Sequence, residues 1–81
     1  MSDNLSIFPA QCRAARALLG WSQEELSKKA NVARATVADF EREARVPVTN
    51  NMLAIKEALE RGGVEFIYKN GSGIGVQLRV F

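Results

Sequence analysis

The chain has 81 residues, 47% of them hydrophobic, with 11 Lys and Arg against 9 Asp and Glu for a net charge of +2. That describes one small globular domain with a limited core of the kind often stabilised by a partner subunit. With no histidine and a single cysteine, Cys12, it offers no internal disulfide, no zinc site and no Ser-His or Cys-His nucleophile system, so no enzyme, metal or cofactor is expected.

Residues 1–7 read as a short tail. The stretch Met1 to Leu5 lacks the basic-then-apolar pattern of a signal peptide. No apolar run approaches the ~20 residues that span a bilayer, so no membrane association is expected. The unpaired cysteine fits a reducing, cytoplasmic setting. A charge of +2 gives little general attraction for nucleic acid, so any such contact must come from local placement of Lys and Arg.

A first helix is predicted from Phe8 to Leu19, with Pro9 in its first turn and Phe8, Cys12, Ala15 and Leu19 on one buried face. Gly20 stops it. A second helix starts at Ser22, where Ser22 and Glu25 form an S-x-x-E capping box, and ends near Asn31. Leu26 and Ala30 are its inner residues. A third runs from Arg34 to Arg42 with Val37 and Phe40 inward, and Pro47 closes the connection. A fourth covers Asn50 to Arg61, with Thr49 as candidate cap and Met52, Ile55 and Leu59 as its stripe.

Gly62-Gly63 ends that helix and the character changes. Val64 to Tyr68 is rich in β-formers, Asn70-Gly71-Ser72-Gly73 is turn chemistry, and Gly75 to Val80 alternates with Val76, Leu78 and Val80 on one face. This reads as a β-hairpin over residues 62–81. The fold class is mainly α: a four-helix domain over residues 8–61, then the hairpin.

The segment Gln23 to Phe40 has helix-turn-helix spacing. Two helices crossing steeply need a small residue at the crossing, a left-handed turn residue and apolar residues in the seam. Ser27, Asn31 and the set Val32, Val37 and Phe40 stand at those places. Together with Leu18-Leu19-Gly20-Trp21-Ser22-Gln23-Glu24-Glu25-Leu26, Arg34-Ala35-Thr36-Val37 and Phe40-Glu41, the segment resembles the Cro/C1-type (XRE-like) helix-turn-helix of phage repressors and many bacterial regulators. The resemblance covers residues 8 to 61 and implies a lambda-repressor-like domain that binds double-stranded DNA.

The resemblance places Gln23 against a phosphate, helped by the helix N-terminus. It sends the third helix into the major groove, where Arg34, Ala35, Thr36 and Asp39 become candidate base contacts. Arg34 can bond guanine O6 and N7, Ala35 or Thr36 can touch a thymine methyl, and Asp39 can accept from cytosine N4 or instead orient an arginine. Arg42 and Arg45 follow as backbone contacts, and Lys28 can reach a phosphate or stand on a solvated face. Arg16 and Glu41 hold positions that form a buried ion pair in the family. Two departures stand out. Ala33 replaces the usual Ser or Thr cap, at a cost of about 1 kcal/mol. The segment Arg34 to Arg45 also carries three positive and three negative charges. Trp21 is read as a core anchor, and Cys12 as a small core residue with redox sensing as its minor alternative.

The hairpin is either a flap over the domain's own core or a dimerisation element. An isolated hairpin is marginal in water and leaves two edges open. The dimer reading pairs Gly75 to Val80, or failing that 64–68, across a two-fold axis. It puts Phe66, Val76, Leu78 and Phe81 in the interface and leaves the four helices able to fold without the hairpin. The leading function is a transcription regulator acting as a homodimer on an inverted repeat. The alternative is an antitoxin or anti-activator that binds a partner protein through the hairpin or a helical surface.

Overall fold

The computed structural model describes residues 6–79. Four helices precede a two-stranded antiparallel hairpin: α1 (Pro9–Leu19), α2 (Gln23–Ala30), α3 (Arg34–Glu41), α4 (Thr49–Arg61), β1 (Val64–Lys69) and β2 (Ser72–Leu78). These are the elements the sequence predicts, and the differences lie at their ends. No helix among the described residues is long and apolar enough to cross a membrane.

The helix boundaries follow local chemistry. In α2, Ser22 Oγ accepts from the Glu25 N–H and the Glu25 carboxylate accepts from the Ser22 N–H, both at 3.0 Å, which satisfies two orphan donors at once. Gly20 and Asn31 close α1 and α2 in the left-handed region, at φ 70° and 57°. Helix α3 stops one residue earlier than predicted, because Glu43 turns left-handed at φ 63°. The amides of Glu43 and Ala44 then bond back to the carbonyls of Phe40 and Asp39. Thr49 is the first residue of α4 and not its cap. Val48 takes the cap position without a side-chain hydrogen bond.

One predicted core residue is displaced. Phe8 is 51% exposed, whereas Ile7 is 2% exposed. The cause is backbone phase: Phe8 is extended (φ −85°, ψ 154°) as the residue before α1, so helical spacing does not apply to it, and Ile7 turns inward instead. The core comprises Cys12, Ala15, Leu26, Val37, Phe40, Ile55 and Leu59 from all four helices, together with Val64 of the hairpin. Trp21 packs against this core. A Cβ on Gly62 would lie 2.7 Å from the indole Cη2 and 3.0 Å from Leu19 Cδ1. Gly62 is helical at φ −74°, so its lack of a side chain serves close approach and not backbone freedom.

The hairpin turn tightens to Asn70-Gly71 between the paired Lys69 and Ser72. Both turn residues have positive φ, 54° and 80°, as the hairpin-forming type I′ turn requires. Val64, Phe66 and Tyr68 alternate inward, and Phe66 pairs with Val76. Val64 is fully buried, and Phe66 and Val76 pack on the helical core. The dimer reading assigned Phe66 and Val76 to a subunit interface; here both are half-buried against the chain's own bundle. Leu78 is 45% exposed, and Phe81 lies outside the described residues. Val64 of the hairpin also belongs to the core of the helices, which counts against the expectation that they fold well without the hairpin.

A buried glutamine joins the two halves. Gln11, 4% exposed, accepts from the Phe8 N–H at 2.8 Å through Oε1. Its Nε2 donates to the carbonyls of Gly75 at 2.9 Å and Ile67 at 3.3 Å. Those two residues face each other at the register shift in the hairpin, so Gln11 satisfies backbone acceptors at an irregular point of the ladder. Further ties run from Tyr68 Oη to the Ser6 carbonyl and from the Arg79 guanidinium to the Glu60 carbonyl. Substituting Gln11→Leu leaves these carbonyls without their donor and is expected to cost ~1–3 kcal/mol. Urea unfolding measures the loss, and hydrogen exchange should show it concentrated in the hairpin amides.

Candidate nucleic-acid interface

Glu41, the last residue of α3, is 3% exposed yet carries a carboxylate. Its charge is met from two other helices. Arg16 of α1 donates from Nε to Oε2 and from Nη2 to Oε1, both at 2.7 Å, a bidentate pairing of the strong kind. Gln23 Nε2 of α2 donates to Oε1 at 3.0 Å and Cys12 Sγ to Oε2 at 3.1 Å. Arg16 also donates to the Trp21 carbonyl at 2.9 Å, and Arg13 donates to the Glu41 carbonyl. The C-terminal end of α3 is thereby fixed to α1 and to the start of α2.

Burial alone would raise the Glu41 pKa. The hydrogen bonds from Arg16, Gln23 and Cys12, with the arginine's charge, outweigh it and hold the carboxyl below its usual range. The hydrogen bond to Glu41 raises the Arg16 pKa against its own desolvation. The Cys12 thiol is pushed strongly upward, first by burial, then by its hydrogen bond to Glu41 and by that carboxylate's charge. A buried thiol held protonated is a poor nucleophile, which favours the core reading of Cys12 over redox sensing.

On the outer side of this frame lie the residues singled out in the sequence. Arg34 and Ala35 are exposed in the first turn of α3, and Thr36 and Asp39 are half-buried. Arg34 has no hydrogen bond or ion pair with another described residue. Asp39 Oδ1 accepts from Arg42 Nη2 at 2.9 Å and Nε at 3.2 Å. Ala35, Thr36, Asp39, Arg45 and Asn51 line one shallow depression, with Val46, Pro47 and Val48 of the α3–α4 connection as its wall. Lys28 is exposed and pairs loosely with Glu24 at 3.4 Å, a surface contact worth little. Gln23 is half-buried against Glu41, which uses one N–H of its amide and leaves the other for a second acceptor.

The linear count of three positive and three negative charges over Arg34 to Arg45 does not describe this surface. Glu41 is turned inward onto Arg16, and Asp39 is tied to Arg42. With that pair cancelling, Arg34 and Arg45 remain exposed against Glu43, so the outer face has a small positive excess. Sequence reasoning did not identify Arg13, Cys12 or Asn51 as participants. The i, i+3 spacing of Arg13 and Arg16, which sets two long cations on one side of α1, was the available signal for Arg13.

Breaking the buried pair should destabilise the fold by ~3–5 kcal/mol, as either Arg16→Ala or Glu41→Ala, because the remaining charge is uncompensated. The pH dependence has a definite sign. A carboxyl whose pKa is depressed on folding contributes stability above its unfolded value near ~4.3, and the contribution disappears as pH falls through the folded value. The stability difference between the parent chain and Glu41→Gln, measured by denaturant unfolding, is therefore expected to be constant near neutrality and to shrink below about pH 4. A difference that grows on acidification contradicts this account.

The arrangement of α2 and α3, with a tight left-handed turn between them and an exposed N-terminal turn on α3, is that of a helix-turn-helix. A helix-turn-helix family model matches residues 13–66 of the chain, from within α1 through α4 to the start of the hairpin. None of the curated proteins compared matches it. The family is a DNA-binding one with a regulatory role, and its domain has the lambda-repressor-like arrangement of helices described above. With more than half its length matched, this chain belongs to the Cro/C1-type helix-turn-helix family of DNA-binding transcription regulators.

Proposed function

We propose that the protein is a sequence-specific regulator that binds an inverted repeat as a homodimer, with α3 of each subunit in the major groove. The observation that carries the reading is Arg34. It stands exposed in the first turn of α3, with no partner among the described residues, and a long cation left unpaired at that place is available to a base edge.

Arg34 then bonds guanine O6 and N7, while Ala35 and Thr36 present small apolar groups to thymine methyls. Asp39 shares its carboxylate between Arg42 and a cytosine amino group. Gln23 offers its second amide N–H to a phosphate at the start of α2, where the helix N-terminus adds its own favourable field. Arg42, Arg45 and Lys28 meet the backbone on either side. Two copies of α3 read half-sites about 34–36 Å apart, one turn of DNA. The two-fold symmetry of the dimer matches that of the repeat.

The two contact types separate by experiment. Arg34→Ala should relax preference at one base pair per half-site by ~1–3 kcal/mol. Gln23→Ala should weaken all sequences about equally and lower the salt dependence of binding, since a phosphate contact positions but does not specify. Binding-site selection followed by salt titration reads both, with unfolding measured alongside because Gln23 also bonds Glu41. If Arg34→Ala selects the same sites with the same stringency, the base-reading role is wrong.

A further inference from the structure

We propose that Glu43 is an attenuating residue: its carboxylate stands bare among the arginines that meet the DNA backbone and holds down the strength of that contact for every sequence alike. The inference deepens the function proposed above and rests on its reading of Arg42 and Arg45.

The acids of the reading head have partners, with one exception. On α2, Glu24 pairs with Lys28 at 3.4 Å and Glu25 accepts from the Ser22 N–H at 3.0 Å. On α3, Asp39 pairs with Arg42 at 2.9 Å and Glu41 with Arg16 at 2.7 Å. Glu43 is exposed, and its side chain has no hydrogen bond or ion pair with another described residue.

The fold gains nothing from an acid at this place. Glu43 has φ 63°, a conformation that crowds any Cβ and that glycine takes freely. Of the non-glycine residues with positive φ, Asn31 and Asn70 belong to the type that tolerates it, and Glu43 does not. It also follows the C-terminal end of α3, where the helix field disfavours a negative charge. No side-chain contact offsets either cost. A strained residue with no return inside the fold points to a task outside it.

The connection fixes where that charge acts. The amide of Glu43 bonds the Phe40 carbonyl at 3.0 Å, and those of Ala44 and Arg45 bond the Asp39 carbonyl at 2.8 and 3.3 Å. The chain from Arg42 to Arg45 is thus folded back on the last turn of α3. The Cα atoms of Arg42 and Arg45 lie within about 7 Å of that of Glu43, since neither is more than two residues away. Arg45 also lines the depression that holds Ala35, Thr36 and Asp39. A phosphate drawn to either arginine enters the field of Glu43, because the Debye length is ~8 Å at physiological salt and longer at low salt. The repulsion acts on the backbone and so carries no base information. It lowers affinity for cognate and unrelated duplexes alike.

The test is DNA binding by the full chain with Glu43→Gln, Glu43→Gly and Glu43→Asp. One duplex carries the selected site, a second of the same length is unrelated, and salt is varied. Glu43→Gln and Glu43→Gly both remove the charge, and each should tighten binding to both duplexes roughly 3- to 10-fold at low salt. The gain should fade as salt is raised, and the ratio of the two affinities should not change. Glu43→Asp keeps the charge and should bind as the parent does. Only Glu43→Gly also frees the backbone, so it alone should unfold at higher denaturant. A gain confined to Glu43→Gly follows the backbone and not the charge, and overturns the proposal. So does a Glu43→Gln variant that binds no tighter than the parent, or that tightens on one duplex alone. In each of these cases a parent chain that binds its selected site leaves the regulator reading standing. A parent chain that binds neither duplex at any salt overturns both.

Discussion

Everything the reading head does depends on one buried carboxylate. Glu41 is a charge in a core, and a charge in a core must be met or the site fails. Its donors come from α1 (Cys12 and Arg16) and α2 (Gln23), while its own backbone belongs to α3. A greasy seam tolerates sliding by a fraction of a turn. A bidentate arginine with two further donors on the same two oxygens does not. The position also runs against the helix dipole, because a negative side chain at a helix C-terminus is disfavoured. The two arginines of α1 reverse that, Arg16 on the carboxylate and Arg13 on the carbonyl of the same residue. The angle at which α3 is presented is therefore set by hydrogen-bond geometry as well as by packing volume.

The sequence was readable wherever a structural need is met by one residue type. The Ser22–Glu25 box, Gly20 and Asn31 as left-handed stops, and Asn70-Gly71 as a two-residue turn each have few chemical alternatives, and each appears in the structure. It was unreadable where the need is met by something general. Glu43 turns left-handed without being glycine or asparagine, so nothing marked the end of α3. Phe8 stood in phase with Cys12, but the phase holds only inside a helix, and Phe8 precedes it. Nothing in the sequence singled out Gln11 of α1. Its task is to supply donors to carbonyls at a strand irregularity far along the chain, and a single sequence does not reveal where a ladder is interrupted.

The candidate site shows the same division. Residue types and order placed Arg34, Ala35 and Thr36 at the start of a helix after a tight turn, and that is where they are. The electrostatics were legible only through the resemblance, which pairs Glu41 with Arg16, since a linear tally by itself weights Glu41 and Glu43 equally. One lies in the core neutralised by Arg16 and the other in solvent. Which acid is removed from a surface is decided by tertiary contacts, and here the removal of Glu41 leaves a nominally neutral segment with a small positive excess. The missing hydroxyl at Ala33 is not replaced by another side-chain cap. Helix α3 is stabilised instead at its far end, where Glu41 is held.

Helix α1 is the element that binds these parts into one device. Cys12, Arg13 and Arg16 turn toward Glu41, while Gln11 turns toward the hairpin. The 11 residues between Pro9 and Leu19 thus carry the reading head on one side and the hairpin on the other. Neither attachment passes through a flexible linker. A change at Gln11 would loosen the hairpin on α1, and a change at Arg16 would loosen the seat of α3. The exposed first turn of α3 is thus held at a fixed attitude to the hairpin by one short helix.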